Sequence, residues 1–247
     1  MNGDETYCRF HQGCLHGFSK TFDRDHRLIN VCLYTNGTPS GYVWQCCTGG
    51  GYLVGQLNKA GQLTGRDISF IYPDLDTGIT GTYCSGRLIC GHISAIISAI
   101  LKDDMFELKF QQISSKLIKC EPGSATLICE YPLLPDPYES KLVFVSPSKI
   151  PGLGEGLFVR GCVPANTMLA FYNGTVISSK DLNRDENWEN DAYKILSLVS
   201  PDEEGFERII DIPACWRETS QYVATLAHKV NHSFTPNAKY TLFYHPR

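Results

Sequence analysis

Four groups of residues late in the chain carry side chains or backbone that could do chemistry: Gly154-Glu155-Gly156-Leu157-Phe158, Phe171-Tyr172-Asn173-Gly174, His228-Lys229-Val230-Asn231-His232-Ser233, and Tyr240. A Gly-x-Gly leaves backbone groups open to close approach, because no side chain intervenes. Phenol, imidazole, ammonium and amide groups can together hold and orient a polar ligand. Taken singly, each group has a plainer reading: Gly-x-Gly is common in turns, an aromatic strand is usually core, and a lone His is usually structural. Their order and spacing carry more than their presence.

The other reactive side chains point elsewhere. Eleven Cys include no C-x-x-C pair, so reduced thiols are expected. Cys8, His11, Cys14 and His16 form a compact C-x2-H-x2-C-x-H cluster. Structural zinc draws its ligands from two separated elements, so no metal site is expected there. The net charge is −4 and there is no Lys/Arg block, which removes the footprint of general nucleic-acid binding and leaves a cationic protein partner open. No basic-then-apolar leader opens the chain, and its longest greasy run, Ile93 to Leu101, is interrupted by two Ser. A soluble chain that neither enters a membrane nor is exported is expected, and the Asn-x-Ser/Thr matches at Asn36, Asn173 and Asn231 are read as chance.

The elements that must position these residues are mainly β. The chain has 247 residues, 43% hydrophobic and 19% charged, enough for one good core or two smaller ones. Gly17, Gly41, Gly65 and Gly91 recur at spacings of 24, 24 and 26 residues, an internal repeat. Further glycines at Gly55 and Gly81, between runs that alternate apolar and polar, make each unit a hairpin. These units resemble MORN repeats, so residues 1–132 are expected to form stacked β-hairpins. The stretch 133–140, LLPDPYES, reads as a linker because two Pro in three residues fix φ and remove amide donors. Beyond it, strands are expected at 142–145, 168–177, 194–199, 208–212 and 239–245, with a tight turn at Asn173-Gly174 and weak helical periodicity over 220–229. The acidic run Asp181 to Asp191 reads as a solvated loop or a cation-attracting rim.

The second half resembles the SET-domain protein-lysine methyltransferases, on its Gly-x-Gly followed by apolar residues and on Asn231-His232-Ser233-Phe234-Thr235-Pro236-Asn237. With LLPDPYES, GEGLF, FYNG and the MORN-like array, the whole chain is similar to the SET7/9 type, so residues 141–247 are expected to form a SET β-fold. The resemblance implies S-adenosyl-L-methionine as cofactor and monomethylation of lysine in the histone H3 tail, its fourth residue, or in other basic peptides. It implies that Tyr172 and Tyr240 line a lysine channel as the catalytic pair. Gly154, Glu155 and Gly156 would lie at the cofactor's amino-acid end and Asn231 and His232 at its adenosine end, with His228 and Lys229 of second rank. It also implies a monomer acting in the nucleus on chromatin, with a cytoplasmic pool allowed. The family's later Glu-Leu-x-x-x-Tyr motif does not occur, so an incomplete SET fold, inactive by itself, is expected. The competing expectation is a non-catalytic MORN scaffold with a SET remnant.

Overall fold

The structure is a computed structural model, and it describes residues 3–103, 105–119, 131–181, 193–197, 201, 203–244 and 246. It divides into two compact units, Met1–Pro122 with Tyr244–Arg247, and Gly123–Phe243. The described elements are mainly β, in antiparallel, hairpin-rich sheets.

The first unit contains β1 (Glu5–Tyr7), β2 (Phe10–His11), β3 (Cys14–Leu15), β4 (Gly17–Phe22), β5 (Leu28–Thr35), β6 (Thr38–Cys46), β7 (Tyr52–Leu57), β8 (Gly65–Ile71), β9 (Thr77–Cys84), β10 (Arg87–Lys102), β11 (Met105–Gln112) and β12 (Ile118–Lys119). One sheet runs β1-β4-β5-β6-β7-β8-β9-β10-β11, with β12 added against β10. The repeat glycines fall on β4, β6, β8 and β10, so one repeat is one hairpin of two strands. Gly17, Gly41 and Gly65 have φ of +83°, +82° and +116°, which a residue with a Cβ adopts only under strain. Gly91 answers a different need: it faces Gly81 across the ladder, and a Cβ on it would lie 2.9 Å from the Thr80 carbonyl oxygen. Val31, Trp44, Val54 and Ile71, one each from β5 to β8, make a core stripe, with Trp44 stacked on Tyr52 at 5.0 Å.

The second unit contains α1 (Glu139–Leu142), β13 (Val143–Pro147), β14 (Glu155–Val159), β15 (Thr175–Ser178), β16 (Lys194–Leu196) and β17 (Arg208–Asp211). Its sheets are β13-β14 and β15-β17-β16. Residues 133–140 pack within this unit instead of standing free. Asp136 is fully buried, and its Oδ1 accepts the backbone N–H groups of Tyr138 and Glu139 at 2.9 and 3.1 Å. The prolines that mark a boundary in sequence also suit a rigid, buried turn.

Three local expectations differ. Asn173-Gly174 makes no tight turn, since neither residue has positive φ. The glycine instead lets the backbone pass close to the Asp211 carbonyl on β17, where a Cβ would collide. No helix forms over 220–226, because the N–H groups of Val223 and Ala224 donate outward to the Pro132 carbonyl at 2.8 and 3.0 Å, leaving one 3-10 turn at Ala227–Lys229. Residues 239–244 are not a strand, as they have no ladder partner among the described residues; Phe243 packs on Phe171 at 4.8 Å and the Tyr244 N–H donates to the Thr48 carbonyl at 3.0 Å. Among the described residues no helix is long and apolar enough to cross a membrane.

Candidate active site

Four segments of the second unit converge: β14, the stretch 168–172, residue Tyr193 before β16, and the run 227–240. β14 lies antiparallel to β13 with Ser146 opposite Gly156 and Pro147 opposite Glu155. The turn between these strands brings Ser148 to Asn231: the serine hydroxyl donates to Asn231 Oδ1 at 2.6 Å, while Asn231 Nδ2 donates to the Glu155 carbonyl at 3.2 Å. Gly156 is needed for this closeness, since a Cβ there would sit 2.9 Å from Asn231 Oδ1. Gly154, at φ +61°, faces open space and passes its carbonyl to the Ser148 N–H.

Lys229 is buried on the 3-10 turn, its Nζ 2.6 Å from Glu155 Oε2 and donating to the Arg217 carbonyl. Burial opposes ionisation of Glu155, but the hydrogen bonds from Lys229 and Thr219 and the Lys229 charge outweigh it and hold the carboxyl below its ordinary range. The site therefore presents a paired anion and cation beside a fixed amide. His228 is 6% exposed and lies beside the rings of Tyr222 and Tyr193, and among the described residues neither of its ring nitrogens has a hydrogen-bond partner of good geometry. Burial first, and then the Lys229 charge, push its pKa down to about 4, so the imidazole is neutral near pH 7.

Tyr172 and Tyr240 stand edge to face with ring centroids 5.7 Å apart. The Tyr172 hydroxyl donates to the Tyr193 carbonyl at 2.6 Å, and the Tyr240 hydroxyl to the Ala227 carbonyl at 3.1 Å. The stretch carrying Tyr172 is fixed without strand pairing: Tyr138 hydroxyl to Met168 carbonyl at 2.7 Å, Phe171 N–H to Glu139 Oε1, and Ala227 N–H to Phe171 carbonyl at 3.1 Å. Burial raises both phenols, and for Tyr172 neighbouring Tyr240, Asp211 and Tyr193 add to it, so both are neutral hydrogen-bonding groups and not bases. Half of Tyr240 remains exposed; its hydroxyl end is the part turned inward.

Of the residues singled out from sequence, Tyr172 and Tyr240 come together, as do Glu155, Gly156, Asn231 and Lys229. His232 is exposed, its ring packed edge-on against Phe234 at 5.3 Å. Ser148, Tyr193, Arg217 and Thr219 complete the arrangement, and no local signal marks them, because their partners lie far away in sequence. The acidic run falls outside the described residues except for Asp181. In the first unit His11 and His16 lie 5.5 Å apart and Cys14 pairs with His11, yet among the described residues no three His, Cys, Asp or Glu side chains are placed to hold a metal.

A sheet of repeated hairpins followed by a small-sheet β unit is the fold class expected of the SET7/9 type. A family model described as the amino-terminal domain of the histone H3 K4-specific methyltransferase SET7 matches residues 34–107. Over 236 residues, 94% of this chain, the sequence is 32% identical to the histone-lysine N-methyltransferase SETD7 of Halocynthia roretzi, and the chain spans 58% of that relative's length. Both findings support a SET7/9-type protein.

Proposed function

We propose that the chain carries a site for S-adenosyl-L-methionine-dependent monomethylation of protein lysine, with a histone H3 tail and other basic, lysine-containing peptides as acceptors, acting as a monomer in the nucleus and also in the cytoplasm. The observation that carries this reading is the Tyr172–Tyr240 pair, joined through Tyr193 and Lys229 to the Glu155–Asn231 group. The donor set fits the proposed cofactor: its amino-acid end bears both signs of charge, and Glu155 with Lys229 offers the complementary pair. Gly154, Glu155, Gly156 and Lys229 would hold that end, and Asn231 and His232 the adenosine end. When bound, S-adenosyl-L-methionine supplies an electrophilic methyl group on a sulfonium.

The protein's part is geometry and desolvation. A lysine with reference pKa near 10.4 must present a neutral amine, which near pH 7 to 8 costs about 3–5 kcal/mol unless its surroundings lower that pKa. Phenolic walls do so by disfavouring the ammonium. Because the Tyr172 proton is committed to the Tyr193 carbonyl, the lone pairs of its oxygen remain for an amine N–H.

The test is anisotropy of a fluorescent H3-tail peptide with S-adenosylhomocysteine present. The peptide should bind, and replacing its acceptor lysine by alanine should weaken it about tenfold, or about 1.4 kcal/mol. Equal binding of both peptides contradicts the proposal.

A further inference from the structure

Tyr193 offers the site two different groups. Its carbonyl accepts the Tyr172 hydroxyl at 2.6 Å and the Ile212 N–H at 3.3 Å. Its ring lies against two cations, with Arg217 Cζ 4.8 Å and Lys229 Nζ 5.9 Å from the centroid. Arg217 is tied back to the same short segment, its Nε donating to the Ile212 carbonyl at 3.3 Å. Lys229 is tied to that segment too, through the Arg217 carbonyl, and to Glu155. Ring and carbonyl of one residue are thus fastened at both ends of 212–217, and the electron-rich ring attracts both positive charges.

We propose that the Tyr193 side chain is a positioning element of this site: held on the Arg217 guanidinium, it fixes the carbonyl that orients the Tyr172 hydroxyl. This rests on the lysine-methylation reading for its purpose, but its physical content is separate. A Leu at this position fills space without drawing a cation to its face, so the carbonyl keeps only its tie to Ile212. Phe keeps the ring face and should substitute for Tyr. Tyr193 acts through Tyr172 and is not itself assigned a contact with the reacting atoms.

The test uses the full chain with 13C-labelled tyrosine, the Tyr172 ring signal being assigned by its loss in Tyr172→Phe. Tyr193→Phe should leave that signal, read at neutral pH, as in the unsubstituted protein. Tyr193→Leu should shift the signal and lower the pH of its titration, because relaxing the contact lets water reach the hydroxyl. An unmoved signal in a cooperatively melting Tyr193→Leu protein overturns the proposal, as does an equal shift in Tyr193→Phe, which would assign the effect to the Tyr193 hydroxyl. Where Tyr193→Leu does not melt cooperatively, Arg217→Gln removes the cation without emptying the apolar space and should move the Tyr172 ring signal at neutral pH, although the loss of its charge raises the pH at which Tyr172 titrates; an unmoved signal there also overturns it. Calorimetric titration of S-adenosyl-L-methionine into the unsubstituted protein separates the two claims: no binding refutes the functional reading, while the tyrosine signal alone decides the clamp.

Discussion

Removing one member of the Glu155–Lys229 pair should destabilise the second unit by different amounts according to which member goes. Lys229 is 3% exposed and Glu155 29%. Glu155→Gln leaves a buried ammonium whose remaining support is the Arg217 carbonyl and the Tyr193 ring. Breaking a buried pair in this way costs about 3 kcal/mol or more. Lys229→Met fills the same space with an apolar chain and leaves a carboxylate whose Oε1 keeps the Thr219 hydroxyl and whose buried Oε2 loses its partner, so about 1–2 kcal/mol is expected, less than for Glu155→Gln. The double variant should resemble Lys229→Met, since the stranded charge is gone. The assay is urea dependence of hydrogen exchange at amides of β13 and β14, which reads the second unit by itself. The pH dependence has a definite sign: Glu155 is depressed in the folded state, so its contribution is present above the unfolded carboxylate value near 4.3 and is lost as pH falls through the folded value. Equal losses for the two single variants, or a larger loss for Lys229→Met, would refute the reasoning.

Three further outcomes follow from single contacts. Gly156→Ala drives a Cβ toward Asn231 Oδ1, so two hydrogen bonds must give way; a loss of about 1–3 kcal/mol is expected in thermal or urea unfolding. His228 is neutral in the folded chain with its pKa at about 4, whereas the unfolded residue takes a proton near 6.5. Stability should therefore fall as pH drops from about 6.5 toward 4, by up to about 3 kcal/mol, and His228→Phe should flatten that slope in urea titrations. In the first unit, Gly81→Ala forces a Cβ against the Cys90 carbonyl across the β9–β10 ladder, and amide exchange in those strands should rise while that of β13 stays unchanged.

Much of the first unit was legible because its information is local. The 24-residue glycine period maps onto successive hairpins, and alternating apolar runs become strands whose inward residues meet in one stripe. The second unit was legible as motifs and less so as elements. Asn173-Gly174 has the chemistry of a turn, but tertiary closeness to β17 uses the missing side chain differently. The 220–229 periodicity was overridden when the Pro132 carbonyl took the donors a helix would need. In the site, Tyr172, Tyr240, Glu155 and Asn231 stood out by type and order. Ser148, Thr219, Tyr193 and Arg217 did not, because each stands outside the motifs and its site partner lies beyond any local period, 83 residues away for Ser148, 64 for Thr219, 21 for Tyr193 and 12 for Arg217.

The central claim is that Glu155, Gly156 and Asn231 form a binding place for S-adenosyl-L-methionine, and isothermal titration of that compound into the full chain tests it most directly. Saturable binding is expected, weakened about tenfold or more by Asn231→Ala in a protein that still melts cooperatively. Absence of binding by the folded, unsubstituted chain, or equal affinity in the Asn231→Ala protein, would contradict it.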